Sequence, residues 1–143
     1  MIEAAKTFEE YIKKENITGF QIREAGDDRN TVIFESEIEV EERRLPIAVI
    51  IDSTAYATIR IRLAQNAVDD TNAMLLMGWL MRQNQDSRLI KVYLTSDTAI
   101  LADVVVPHSP EEFDPEVMVS VLRVFIRDIT KLMPDLAMLL PEE

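Results

Sequence analysis

Cysteine is absent from this chain of 143 residues, which excludes disulfides, thiolate nucleophiles and cysteine zinc sites. Glycine occurs only at Gly19, Gly26 and Gly78, too sparsely for a phosphate-cradling loop. There is one histidine, His108, and one tryptophan, Trp79. Bases are scarce: 15 Lys and Arg face 26 Asp and Glu, a formal net charge of −11. That field repels phosphate backbones and anionic lipid, so neither nucleic acid nor membrane is an expected partner. Long apolar runs are missing too. The longest uncharged stretch, Thr71 to Met81, falls far short of the ~20 apolar residues of a membrane helix. The start, MIEAAKTFEEY, has acids where a signal peptide carries a basic segment. A cytoplasmic protein is the expectation.

What remains is ordinary globular material, 48% hydrophobic and 29% charged, enough for one core in one domain over residues 1–143. Residues 3–15 read as a helix with Ala4, Ala5, Phe8, Tyr11 and Ile12 on one face. Phe20 to Glu24 reads as a short strand. From Thr31 to Glu41, Val32, Phe34, Ile38 and Val40 alternate with Glu35, Glu37, Glu39 and Glu41. A turn at Glu42-Arg43-Arg44 leads to a strand with Leu45, Ile47, Val49 and Ile51 inward. YATIRIRLA then sets Ala57, Ile59, Ile61 and Leu63 against Thr58, Arg60 and Arg62. Together these make a meander with one apolar face.

A helix follows, with Asp69, Asp70 or Thr71 as N-cap, fading at Gln83 to Gln85. A second hairpin, Arg88 to Thr95 and Thr98 to Val106, stops at Pro107. Ser109-Pro110-Glu111-Glu112 matches a capping box, and Asp114-Pro115 opens a helix to Lys131 that Pro134 ends or kinks. The order α-β-β-β-β-α-β-β-α, without regular βαβ alternation, predicts an α+β fold with a mainly antiparallel sheet and three helices.

The middle helix is the most informative element. Ala73 to Met81 (AMLLMGWLM) has no charge and holds Trp79 and three of the seven methionines. A helix apolar on every side needs cover on more than one face. Flexible methionines suit varied partners. Met74, Met77, Gly78, Trp79, Leu80 and Met81 are therefore the expected partner or dimer interface. An open sheet edge offers strand addition as a second binding mode.

NAMLLMGWLMRQNQ, the hairpin RLIKVYLTSDTAILADVVVP after it and the closing DPEVMVSVLRVFIRDITKLMPDL resemble the YbjN-type bacterial domains. Those in turn look like the class I chaperones of type III secretion. The resemblance covers roughly residues 3–136 and rests on element order and local pattern. It implies a secretion-chaperone-like fold and a non-enzymatic protein-binding domain, acting as a homodimer with an unidentified protein or peptide client. It transfers no catalytic residue.

Other candidates have plainer readings. His108 beside Ser109, Glu111, Glu112 and Asp114 would suit a general base, but a loop histidine beside a helix cap explains it as well. Asp27-Asp28 and Asp69-Asp70 lack calcium-loop spacing and read as turn and cap chemistry. Glu35, Glu37, Glu39 and Glu41, like Arg60 and Arg62, read as a strand's wet face. No catalytic, cofactor or metal site is expected. The alternative is a small-molecule-binding or enzymatic domain with a pocket near the 106–116 loop.

Overall fold

The structure, a computed structural model, describes residues 1–142. Helix α1 (Glu3–Lys14) precedes strands β1 (Gln21–Glu24), β2 (Val32–Val40), β3 (Arg43–Ile51) and β4 (Tyr56–Ala64). Helix α2 (Ala73–Asp86), the hairpin β5 (Lys91–Leu94) and β6 (Ile100–Pro107), and helix α3 (Pro115–Leu139) complete the chain. The fold is α+β in the expected element order. All six strands form one antiparallel sheet, ordered β1-β2-β3-β4-β6-β5.

Alternation decides what lies inside. Phe34, Val49, Ile59 and Val104 are register partners on successive strands and form one buried row across the sheet. Helix α1 lays Ala5, Phe8 and Ile12 over it, with Phe8 meeting Phe34 edge-on at 4.9 Å. Helix α3 adds Met118, Phe125, Ile129, Met133 and Leu136, and α2 adds Leu76, Trp79 and Leu80. All three helices pack into this one cluster. Among the described residues, no helix lies on the opposite sheet face.

Four local features differ from the sequence reading. The β2–β3 turn falls at Glu41 and Glu42, both with positive φ, 53° and 64°. Two left-handed residues match the twist of a two-residue hairpin, so Glu41 leaves the strand. Helix α2 is capped at Asn72, not at Asp69, Asp70 or Thr71. The Asp69 carboxylate is taken by the N–H groups of Thr71 and Asn72, at 2.8 and 3.0 Å. Ser109-Pro110-Glu111-Glu112 forms a turn, closed by the Glu112 N–H on the Ser109 carbonyl at 3.1 Å. Asp114 caps α3 instead, accepting from the N–H groups of Glu116 and Val117.

Helix α3 also runs through Pro134 to Leu139. An interior proline costs about 3 kcal/mol. Against that, Met133 and Leu136 are fully buried around it, and each such side chain contributes about 1.5–3 kcal/mol. The Asn72 amide then donates to the Leu139 carbonyl at 2.9 Å, tying the end of α3 to the start of α2. Burial wins. Among the described residues, no helix is long and apolar enough to cross a membrane.

Candidate interaction site

Helix α2 forms because Ala, Leu, Met and Gln are strong helix formers. Its ends are held by hydrogen bonds. At the start, Asn72 donates to the Ala67 and Leu139 carbonyls and accepts from the Asp69 N–H. Beyond its end, the Ser87 hydroxyl oxygen accepts from the N–H groups of Leu89 and Ile90. Between them, Asn84 reaches across to the edge strand. Its carbonyl oxygen accepts from the Val92 N–H, and its amide donates to the Val92 carbonyl, both at 2.8 Å. One side chain thus occupies both outward-facing backbone groups of Val92. Strand addition is blocked there, and β1 is left as the other sheet edge.

The structure divides the apolar residues of α2 between two faces. Leu76, Trp79 and Leu80 turn into the core, Trp79 only 3% exposed. Trp79 and Leu80, expected at the interface, are therefore core residues: the sheet and α3 shelter them within the single chain. The remainder lies in the open. Met74 is 90% exposed, Leu75 65% and Met81 74%, with Met77 partly exposed between them. Met74, Met77 and Met81 fall at the three- and four-residue spacing of one helix stripe. Met138, 86% exposed, neighbours Leu139 on α3, whose carbonyl Asn72 holds beside the start of this stripe.

Gly78 sits within that surface. A side-chain carbon added there would touch only the Arg82 Nη1, at 3.4 Å. Among the described residues, nothing else fills the space over this helix turn. Glycine in a helix interior costs about 1 kcal/mol relative to alanine. Among the described residues, the buried Trp79 indole N–H also has no hydrogen-bond partner.

The His108 loop has a different character. The His108 backbone N–H donates to the Ala55 carbonyl at 2.8 Å, pinning the loop to the start of β4. Its ring stacks edge-on against Phe113 at 5.2 Å, and Phe113 in turn lies 6.4 Å from Phe8. Nδ1 contacts the Ser109 backbone carbonyl at 3.0 Å. Among the described residues, Ser109 shows no side-chain hydrogen bond to His108, and Asp114 is committed to its helix cap. The depression beside them, lined by His108, Ser109, Phe113 and Met118, holds about 250 Å³. Ligand pockets usually start near ~300 Å³.

The carboxylates also separate. Asp27 accepts from the Thr31 hydroxyl and N–H at 2.6 and 2.9 Å, which holds its carboxyl below the usual range. Among the described residues, no group of three metal-ligating side chains converges. Glu35 pairs with Arg23 at 2.7 Å. On the bare sheet face, Arg60 makes a two-pronged contact with Asp103 at 2.8 and 3.0 Å, and the Tyr93 hydroxyl donates to the same carboxylate at 2.8 Å. The Asp103 hydrogen bond pushes the Arg60 pKa up against partial burial; burial first, then Asp103, raises that of Tyr93. Both carboxylate oxygens of Asp103 are engaged by cation or donor, so the cluster is structural in character.

The site is a bare apolar helix face on an α+β domain whose sheet is covered on one side. No protein-family model, curated protein or solved structure matches this chain.

Proposed function

We propose that this chain is a non-enzymatic protein-binding domain of the YbjN-like, secretion-chaperone-like kind. It acts as a homodimer in the cytoplasm and shelters an apolar segment of a client protein on α2. The carrying observation is the stripe of Met74, Met77 and Met81 with Leu75, left in water although the same helix buries Leu76, Trp79 and Leu80. Contiguous apolar patches of this kind are rare on isolated chains and favour partner contact. Methionine adapts its shape, and Gly78 leaves room for a backbone to approach. The net charge of −11 selects a client segment that is apolar on one side and basic on the other.

The test uses a fluorescent synthetic peptide of leucine and lysine with a helical repeat. Binding is followed by anisotropy for the wild type and for the Met74→Asp/Met81→Asp variant. The added acids would strengthen purely electrostatic binding. Loss of binding in the variant therefore supports an apolar seat on α2, and unchanged or tighter binding removes it.

A further inference from the structure

The strands leave one whole sheet face uncovered, and its side chains follow a pattern. Register partners define two rows across it. Glu35, Ala48, Arg60 and Asp103 form one; Ile33, Ile50, Thr58 and Val105 form the next. Glu37 and Pro46 continue the pattern on β2 and β3, and Arg62 and Leu101 continue it on β4 and β6. The β1–β2 side therefore carries Glu35, Glu37 and Glu39, with Arg23 of β1 paired to Glu35. The β4–β6–β5 side carries Arg60, Arg62 and Lys91 around Asp103. Between them, β3 presents the small apolar residues Pro46, Ala48 and Ile50, all half-buried although none of the described residues covers them, and at its start the exposed Arg44, register partner of Glu39.

We infer that this face is the seat of a second copy of the chain, packed sheet to sheet about a two-fold axis running along β3. Such an axis exchanges the two sides. It places the β2 side of one copy over the β4 side of its twin, so that Glu37, unpaired among the described residues, faces the likewise unpaired Arg62, while Glu35 and Arg60 keep their own-chain partners Arg23 and Asp103. Pro46, Ala48 and Ile50 meet their own counterparts on the axis; Arg44 does so at the strand's start, where Glu39 lies beside it to offset the like charge. Face-to-face sheets pack about 10 Å apart, a gap that Glu and Arg side chains span from both sides. An axis across the strands would set Glu against Glu and is disfavoured. Among the described residues, Glu37 and Arg62 have no ion-pair partner within their own chain; Arg62 lies against the Gln65 side-chain amide.

Charge and area both favour this seat. In a chain of net charge −11, most surfaces of two copies repel one another. Here acids and bases nearly balance, so this face lets twins approach without that penalty. The three long strands are nine residues each; an axis along β3 overlays β1 on β6 and β2 on β4 and leaves β5 outside, so at ~3.3 Å per residue and ~4.8 Å between strands the overlapping face spans roughly 600 Å². A stable interface needs about 800 Å² per partner, which this face approaches once side-chain relief is included. The methionine stripe on α2 covers only ~11 Å of helix and suits a client segment better than a twin. The inference rests on the homodimer part of the proposed function and is independent of the client on α2.

Sedimentation equilibrium tests it, with Glu37→Arg, Arg62→Glu and the double exchange, all at exposed positions. Each single reversal weakens the dimer by about tenfold or more, and the double exchange restores it. Ala48→Cys would be the sole thiol, and a bis-maleimide of about 10 Å reach should link it to its twin, matching the spacing of packed sheets. A wild type that stays monomeric overturns the inference. So does a dimer indifferent to both reversals with no Ala48→Cys cross-link. If Met74→Asp/Met81→Asp dissolves the dimer while the reversals do not, the twin sits on α2 and the sheet seat fails. Loss of peptide binding in that variant with the dimer intact fits both readings; retained binding removes the client seat alone.

Discussion

Replacing Gly78 with alanine separates what the chain needs for itself from what its surface offers a partner. Gly78 is interior to a helix of 14 residues, where alanine is favoured by about 1 kcal/mol. Its new methyl group would meet only the end of the flexible, exposed Arg82 side chain, at 3.4 Å. Ordinary contact there leaves most of the gain, so the isolated protein should gain about 0.5–1 kcal/mol. For a domain of this size that raises Tm by about 2–4 °C. With an ordinary urea slope, the unfolding midpoint moves up by ~0.3–0.5 M at constant slope. Circular dichroism against urea reads the stability, and anisotropy with the leucine–lysine peptide reads binding. More stability with weaker binding is the expected pair. A destabilised variant would show that Gly78 serves its own chain; a stabilised variant that binds unchanged would show that no close approach occurs there.

Other outcomes follow from single contacts. Trp79 is buried and is the only tryptophan, so its emission should be blue-shifted and untouched by iodide; ready quenching would return it to the surface. Removing the Asn84 amide in Asn84→Ala frees both backbone groups of Val92, and should cost about 1 kcal/mol while accelerating amide exchange at Val92. Unchanged exchange there would mean the contact does not protect the edge. Asp27 has a depressed pKa because Thr31 donates to it. Its contribution to stability is thus present above the ordinary carboxylate pKa of about 3.9 and lost as pH falls through the lower folded value. In Thr31→Val, NMR titration should find Asp27 moved back toward the ordinary value; no movement would remove the hydrogen bond as the cause.

Period and turn chemistry made most of the fold legible. The alternation in β2, β3 and β4 assigned the inward residues correctly, because a slip of one residue would flip every side chain. Boundaries failed where tertiary contacts outweigh local signals. Pro134 reads as an end or a kink after Lys131, yet α3 continues past it to Leu139 because Leu136 has a buried place to go. The N-terminal acids read as the cap of α2, yet Asn72 takes that position because its amide binds two carbonyls, one of them 67 residues away.

The candidate site was half visible. An apolar run identifies α2, but only the packing of α3 and the sheet sorts Trp79 and Leu80 inward from Met74 and Met81 outward. Asp103 escaped notice, although a lone acid in ILADVVVP is a signal that a strand needs a cation beside it. That cation, Arg60, lies on the neighbouring strand, and its pairing requires knowing that β6 joins β4 rather than following β5 outward.

The double grip of Asn84 on Val92 makes α2 a hem as well as the proposed binding face. The helix cannot lift at that end without unpicking both bonds at once, and the same motion exposes an unpaired strand margin. Tugging on the helix and fraying the sheet are one event. On the proposed function, the chain would hold its guest without letting the helix swing away, since release of the helix would expose the edge that neighbouring chains add to most readily.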